Sequence, residues 1–146
     1  DIDIKALEIA RINVDKHKLG ERIRLCQSDL FDNLDGLYDL VLCNPPYVNS
    51  HSMSALPAEY QHEPGLALDG GDDGMDLVRR IIAAASSHLN PNGVLVLEIG
   101  NERRHFEHAF RRLEVAWLET SAGGDQVLLA TQDALQRWNK VKEARG

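Results

Sequence analysis

Asn44-Pro45-Pro46-Tyr47 is the stretch whose residue types and spacing could do chemistry. It follows directly on Leu40-Val41-Leu42-Cys43, a continuous apolar run that reads as a strand covered on both faces, as in a parallel sheet. In open α/β sheets ligands bind outside the carboxyl ends of strands, and the tetrapeptide falls at such an end. Its two prolines stiffen the backbone and remove two N–H donors. Carbonyls that can only accept are left, and Asn44 adds a side-chain carbonyl. Such a set suits a planar NH2 group. The lone pair of an amide or exocyclic amine is delocalised, so its nitrogen is a weak nucleophile. Its N–H is also too weakly acidic for a carboxylate to remove beforehand. Two acceptors on its hydrogens would aim the nitrogen at an activated methyl donor and favour charge build-up in the transition state. Tyr47 offers an aromatic wall to a planar group. The competing reading is a proline-rich turn that merely ends a strand, because Asn-Pro alone is a common turn signal. The whole tetrapeptide, at a strand end and before a long loop, favours the chemical reading.

Several elements must position this stretch. Helical spacing of Leu7, Ala10 and Val14 predicts a helix over 6–18, with Asp3 as N-cap and Gly20 as stop. Ile23 to Cys26 reads as a short strand ending at Ser28-Asp29. Residues 48–73, with Pro57, Pro64 and Gly70-Gly71, read as a loop, and a loop that long is usually functional. Leu77 to Leu89 predicts a helix with Val78, Ile81, Ile82 and Ala85 toward the core. Asn90-Pro91-Asn92-Gly93 reads as a turn, and Val94-Leu95-Val96-Leu97 as a buried strand closing at Glu98-Ile99-Gly100. A helix is expected over 103–112. A strand pair is expected over 115–119 and 126–131 around Gly123-Gly124, and a polar helix or tail over 134–144. Strands alternating with helices imply βαβ units and a mostly parallel sheet.

The bulk properties narrow the partners. With 146 residues the chain suits one domain, and its formal net charge is −7. So acidic a chain grips a phosphate backbone poorly, which disfavours direct nucleic-acid binding and favours a protein or small-molecule substrate. No apolar run approaches the ~20 residues of a membrane span and no signal-like leader is read, so a cytoplasmic protein is expected. Cys26 and Cys43 sit in apolar runs without metal-type spacing and read as buried thiols. His105 and His108 lack the glutamate of a zinc-protease helix. Ser86-Ser87 lacks a base, and Asp72-Asp73 lacks the remaining ligands of a calcium loop, so no metal is expected. Arg79-Arg80 and Arg111-Arg112 read as solvated helix faces.

Over residues 1 to about 131 the chain resembles the HemK-type N5-glutamine methyltransferases. The resemblance rests on Asn44-Pro45-Pro46-Tyr47-Val48, Leu56-Pro57-Ala58-Glu59-Tyr60-Gln61-His62-Glu63-Pro64, Asp73-Gly74-Met75 and Gly123-Gly124-Asp125. The second and fourth stretches look more like the branch that modifies a large-subunit ribosomal protein than the branch that modifies release factors. The resemblance implies an α/β Rossmann-like class I methyltransferase fold using S-adenosyl-L-methionine and leaving S-adenosylhomocysteine. It implies that Asp1 accepts from the cofactor ribose, that Asp29 lies near the adenine amino group, and that Leu30 packs on the adenine ring. Asn44 and the Pro45 carbonyl would hold a glutamine amide, with Pro46 and Tyr47 shaping the slot and Glu63 as a substrate-side candidate. Each has a plainer alternative: Asp1 a solvated terminus, Asp29 a turn cap, Glu63 a surface carboxylate.

The sequence starts at Asp1 and contains no Gly-x-Gly-x-x-Gly. The fold is therefore expected to be incomplete at its N-terminus, without the first strand and glycine-rich turn. Residues 1–133 would form a partial catalytic domain and 134–146 a helical tail. Exposed sheet edges would favour self-association and weaken cofactor binding. Two other functions stay open on the residues: methylation of an exocyclic amine in DNA or RNA, and an inactive or purely binding module.

Overall fold

The computed structural model describes residues 1–50, 67–121 and 123–144. It divides into two compact units, Asp1–Gly36 and Leu37–Gly146.

In the first unit, helix α1 spans Ile4–Lys16, and the Asp3 side chain caps it by accepting from the Lys5 N–H. Leu7, Ala10 and Val14 are half-buried, as their spacing predicts. The stop differs from expectation: Lys18, not Gly20, takes the left-handed conformation, at φ 54°. Residues 23–26 form no strand. Their neighbourhood is joined instead to the start of the chain, where the Asp1 ammonium donates to the Cys26 carbonyl at 3.2 Å and the Ser28 N–H to the Asp1 carbonyl at 2.9 Å. Such isolated bonds make no ladder among the described residues.

The second unit contains strand β1 (Tyr38–Cys43), helix α2 (Asp76–Ala85), strand β2 (Leu89–Glu98) and helix α3 (Arg103–Ala109). Strands β3 (Ala116–Thr120) and β4 (Gly123–Thr131) and helix α4 (Gln132–Glu143) follow. The sheet order is β1-β2-β4-β3. Strands β1 and β2 run parallel, with Leu42 opposite Val96 and Cys43 opposite Leu97, and α2 lies in the crossover between them. Strand β4 is antiparallel to both β2 and β3. The described sheet is thus mixed rather than mostly parallel. The tight β3–β4 connection forces that pair antiparallel, and β4 then inserts beside β2. The expected turn at Asn90–Gly93 lies inside β2 as an irregularity in its register with β1. Pro91 cannot donate to a ladder, and Asn92 bends the strand at φ 68°.

Leu95, Leu97, Leu128 and Ala130 from the sheet, Val78, Ile81, Ile82 and Ala85 from α2, and Leu135 from α4 form the core. Phe106 and Phe110 stack at 4.7 Å, with Trp117 edge-on to Phe106 and Trp138 against Phe110. Helix α4 packs on β2, β4 and α2, so the expected polar tail is an element of the core. Strand β1 is less covered than its apolar run predicts: Leu40 is 50% exposed and Leu42 70%.

Candidate active site

The tetrapeptide begins where β1 ends. Asn44 is exposed, Pro45 buried, and Pro46 and Tyr47 half-buried. A groove at this end of the sheet is lined by Leu42, Cys43 and Asn44 from β1 and its end, Val96 and Glu98 from β2, and Val127 from β4. Its walls are mostly apolar, while Asn44 and Glu98 carry its polar side-chain groups. Burial pushes the Cys43 thiol pKa up, which keeps it protonated and weakly nucleophilic at neutral pH.

Tyr47 is held on two sides by backbone that carries no side chain. A Cβ on Gly100, at φ 51°, would lie 2.4 Å from Tyr47 Cε2. A Cβ on Gly74, at φ 75°, would lie 2.2 Å from the Tyr47 carbonyl oxygen. Both positions combine a left-handed backbone with close approach, the two requirements that only glycine meets together. The Tyr47 hydroxyl donates to Glu98 Oε1 at 3.4 Å.

The chain just beyond Tyr47 is held by residues 68–71. Val48 and Asp69 form a parallel bridge, with Val48 N–H donating to the Leu68 carbonyl and Gly70 N–H to the Val48 carbonyl, each at 2.9 Å. Ser50 N–H donates to the Gly71 carbonyl at 3.0 Å. Buried Asn49 donates through Nδ2 to Glu102 at 2.8 Å, and Glu102 also pairs with His105. Asp73 accepts from the Met75 N–H at 3.0 Å and from Arg79 Nη1 at 2.9 Å. The Arg79 hydrogen bond, followed by the Met75 N–H and the charges of Arg79 and His105, holds the Asp73 carboxyl below the usual carboxylate range. Arg79 is exposed, as expected of a solvated helix face, and its guanidinium is engaged by Asp73 and Asp76. The sequence reading also passed over Glu98, Gly100 and Asn49; the only signal for them was the abrupt end of an apolar run at Glu98.

The remaining sequence candidates fall in the first unit or outside the described residues. Asp1 is exposed but not frayed: its carboxylate accepts from the Asp3 N–H at 2.8 Å and its backbone bonds to residues 26 and 28. This brings Asp1 beside Ser28-Asp29. Asp29 and Leu30 are half-buried, with Leu30 at φ 51°. The Ser28 hydroxyl caps the turn that follows, accepting from the Asn33 N–H and donating to the Leu30 carbonyl, both at 2.9 Å. Glu63 and the stretch Leu56–Pro64 lie outside the described residues. Among the described residues no helix is long and apolar enough to cross a membrane, and no group of three metal-ligating side chains comes together.

Residues 1–59 match the family description "Methyltransferase small domain". The fold is shared with a crystal structure of a methyltransferase from Pyrococcus furiosus, at a TM-score of 0.63 over 90% of this chain and 60% of that one, with 17% identity. The architecture is that of a Rossmann-like class I methyltransferase. In sequence the chain is related more narrowly, to proteins named ribosomal protein uL3 glutamine methyltransferase. It is 56% identical to the one from Bordetella pertussis, over 92% of this chain and 46% of the relative. Identity is 50% to the one from Neisseria gonorrhoeae, over 92% of this chain and 45% of the relative. It is 45% to the one from Francisella tularensis, over 94% and 44%. The chain thus spans a little under half the length of these relatives.

Proposed function

We propose that the chain carries the amide-binding part of an enzyme that methylates the side-chain nitrogen of a protein glutamine, in a large-subunit ribosomal protein, with S-adenosylmethionine as donor. The observation that carries this reading is Asn44-Pro45-Pro46-Tyr47 at the carboxyl end of β1, opening on a groove, in a chain related to enzymes of that name. Asn44 Oδ1 and the Pro45 carbonyl accept the two amide hydrogens, and the Tyr47 ring bounds the slot. Held this way the nitrogen keeps its lone pair directed at the donor. With S-adenosylmethionine bound, its activated methyl group would pass to this nitrogen, the N–C bond forming as the donor's C–S bond breaks, and the nitrogen's surplus proton would pass to water.

The donor set of the first unit fits a nucleoside. The exposed Asp1 carboxylate is an acceptor for ribose hydroxyls, and half-buried Asp29 and Leu30 beside it offer an acceptor and an apolar face for adenine. The cofactor supplies a methyl group already activated on a sulfonium, so the chain needs no covalent nucleophile. The cytoplasm, where ribosomal proteins are made, is the compartment this reading requires.

The test uses the intact protein with methyl-labelled donor and two acceptors, unmethylated large-subunit ribosomal protein and DNA, beside a buffer control. Label on glutamine of the ribosomal protein supports the proposal. Label on DNA supports exocyclic-amine methylation instead, and label on neither points to a binding module. Asn44→Ala removes one of two acceptors, so transfer should fall on the order of a hundredfold or more. Its thermal unfolding should stay within a degree or two, because Asn44 is exposed.

A further inference from the structure

Glu98 and Gly100 are two positions apart at the end of β2, and both meet Tyr47. Gly100 makes room for the ring edge. Glu98 takes the hydroxyl and lines the groove that Asn44 also lines. The hydrogen bond at the far end, 3.4 Å from Oη to Oε1, adds a polar contact that bears on the plane of the ring. The backbone beneath Glu98 is held independently, through pairing with Val127 on β4. Its side chain is thus not needed to keep the strand in place.

We propose that Glu98 is a positioning residue for methyl transfer: through the Tyr47 hydroxyl it fixes the orientation of the ring that walls the slot beside Asn44. The proposal rests on the amide-methylation reading. It assigns Glu98 an acceptor's role, not that of a base. A glutamine side chain retains one carbonyl acceptor and should therefore serve in its place, whereas alanine should not.

Four variants of the intact protein test this: Glu98→Gln, Glu98→Ala, Tyr47→Phe and the double variant Glu98→Ala/Tyr47→Phe. With the protein substrate, Glu98→Ala and Tyr47→Phe should each lower kcat on the order of tenfold, with the KM for S-adenosylmethionine unchanged within about twofold. The double variant should be no slower than the slower single one, and Glu98→Gln should stay within about threefold of the parent, because both changes break the same contact. Losses that multiply, or a Glu98→Gln as slow as Glu98→Ala, would overturn the proposal. A second measurement needs no substrate. With 13Cζ-labelled tyrosine, the resonance that disappears in Tyr47→Phe should shift in Glu98→Ala and hold its place in Glu98→Gln. An unshifted resonance in Glu98→Ala sinks the proposal whatever the enzyme methylates. Absence of glutamine methylation in the parent protein sinks the functional reading alone.

Discussion

Asp73 shows how a single carboxylate can hold a functional loop without touching the site. It accepts from the Met75 N–H just ahead of α2 and from Arg79 one turn into that helix, while the neighbouring Gly74 lies against the Tyr47 carbonyl. Because the folded state lowers its pKa, the stability it contributes is present above the ordinary carboxylate value and is lost as pH falls through the lower folded value. The pair is more than a third exposed on both sides, so its worth is that of a surface ion pair, about 0.5–1 kcal/mol. Asp73→Asn should cost about that much in urea unfolding at pH 7 and less at an acidic pH below the lowered folded value, where the parent carboxyl is protonated as well. An equal cost at both pH values would place the effect in the Met75 hydrogen bond instead. The residue scale also shows what sequence reasoning could reach. Asn44 and Tyr47 were legible because their chemistry is in their own side chains. Gly100 and Glu98 were not, because their role is defined by a ring more than fifty positions away in the sequence, and no local pattern marks that approach.

At the scale of elements, period alone served where an element has its partners beside it. The face of α2 carrying Val78, Ile81, Ile82 and Ala85 is the face it buries, and the β3–β4 pair forms as expected, with Gly123 and Gly124 as the first residues of β4 rather than its turn and Gly123 opposite Thr120. It failed where the partner decides. Residues 23–26 have the composition of a strand but form none: Cys26 accepts from the Asp1 ammonium, the Ile23 N–H donates to the Leu19 carbonyl, and such isolated bonds build no ladder. Helix α4 forms where a terminal helix was expected, and although polar residues dominate its sequence, Ala134 and Leu135 are buried and Trp138 lies tilted against Phe110. Leu135 is fully buried, so Leu135→Ala should destabilise the fold by about 2–5 kcal/mol, the range for a cavity left by a core leucine. Chemical unfolding measures this. A loss under about 1 kcal/mol would return α4 to the status of a tail that the core does not need.

At the scale of the whole chain, the apolar surface left uncovered has a consequence for association. Strand β1 is the edge of the described sheet, and Leu40 and Leu42 on it are 50% and 70% exposed, with Leu37 at 54% beside it. A parallel strand rich in leucine is normally buried on both faces, because its crossovers carry covering helices. An edge strand with unpaired backbone groups and exposed leucines is a template for another chain. We therefore expect this 146-residue chain, studied alone, to self-associate through β1. Sedimentation velocity over roughly 5–200 μM should show the weight-average mass rising with concentration, as for any interface held by mass action. Leu42→Lys places a charge on the edge, the means by which natural sheets block such pairing, and should restore the monomer. Its effect on folding should be small, since a residue 70% exposed has little burial to lose. A chain that stays monomeric throughout that range, or a Leu42→Lys variant that associates as the parent does, would show that the exposed edge of β1 is not the surface that pairs.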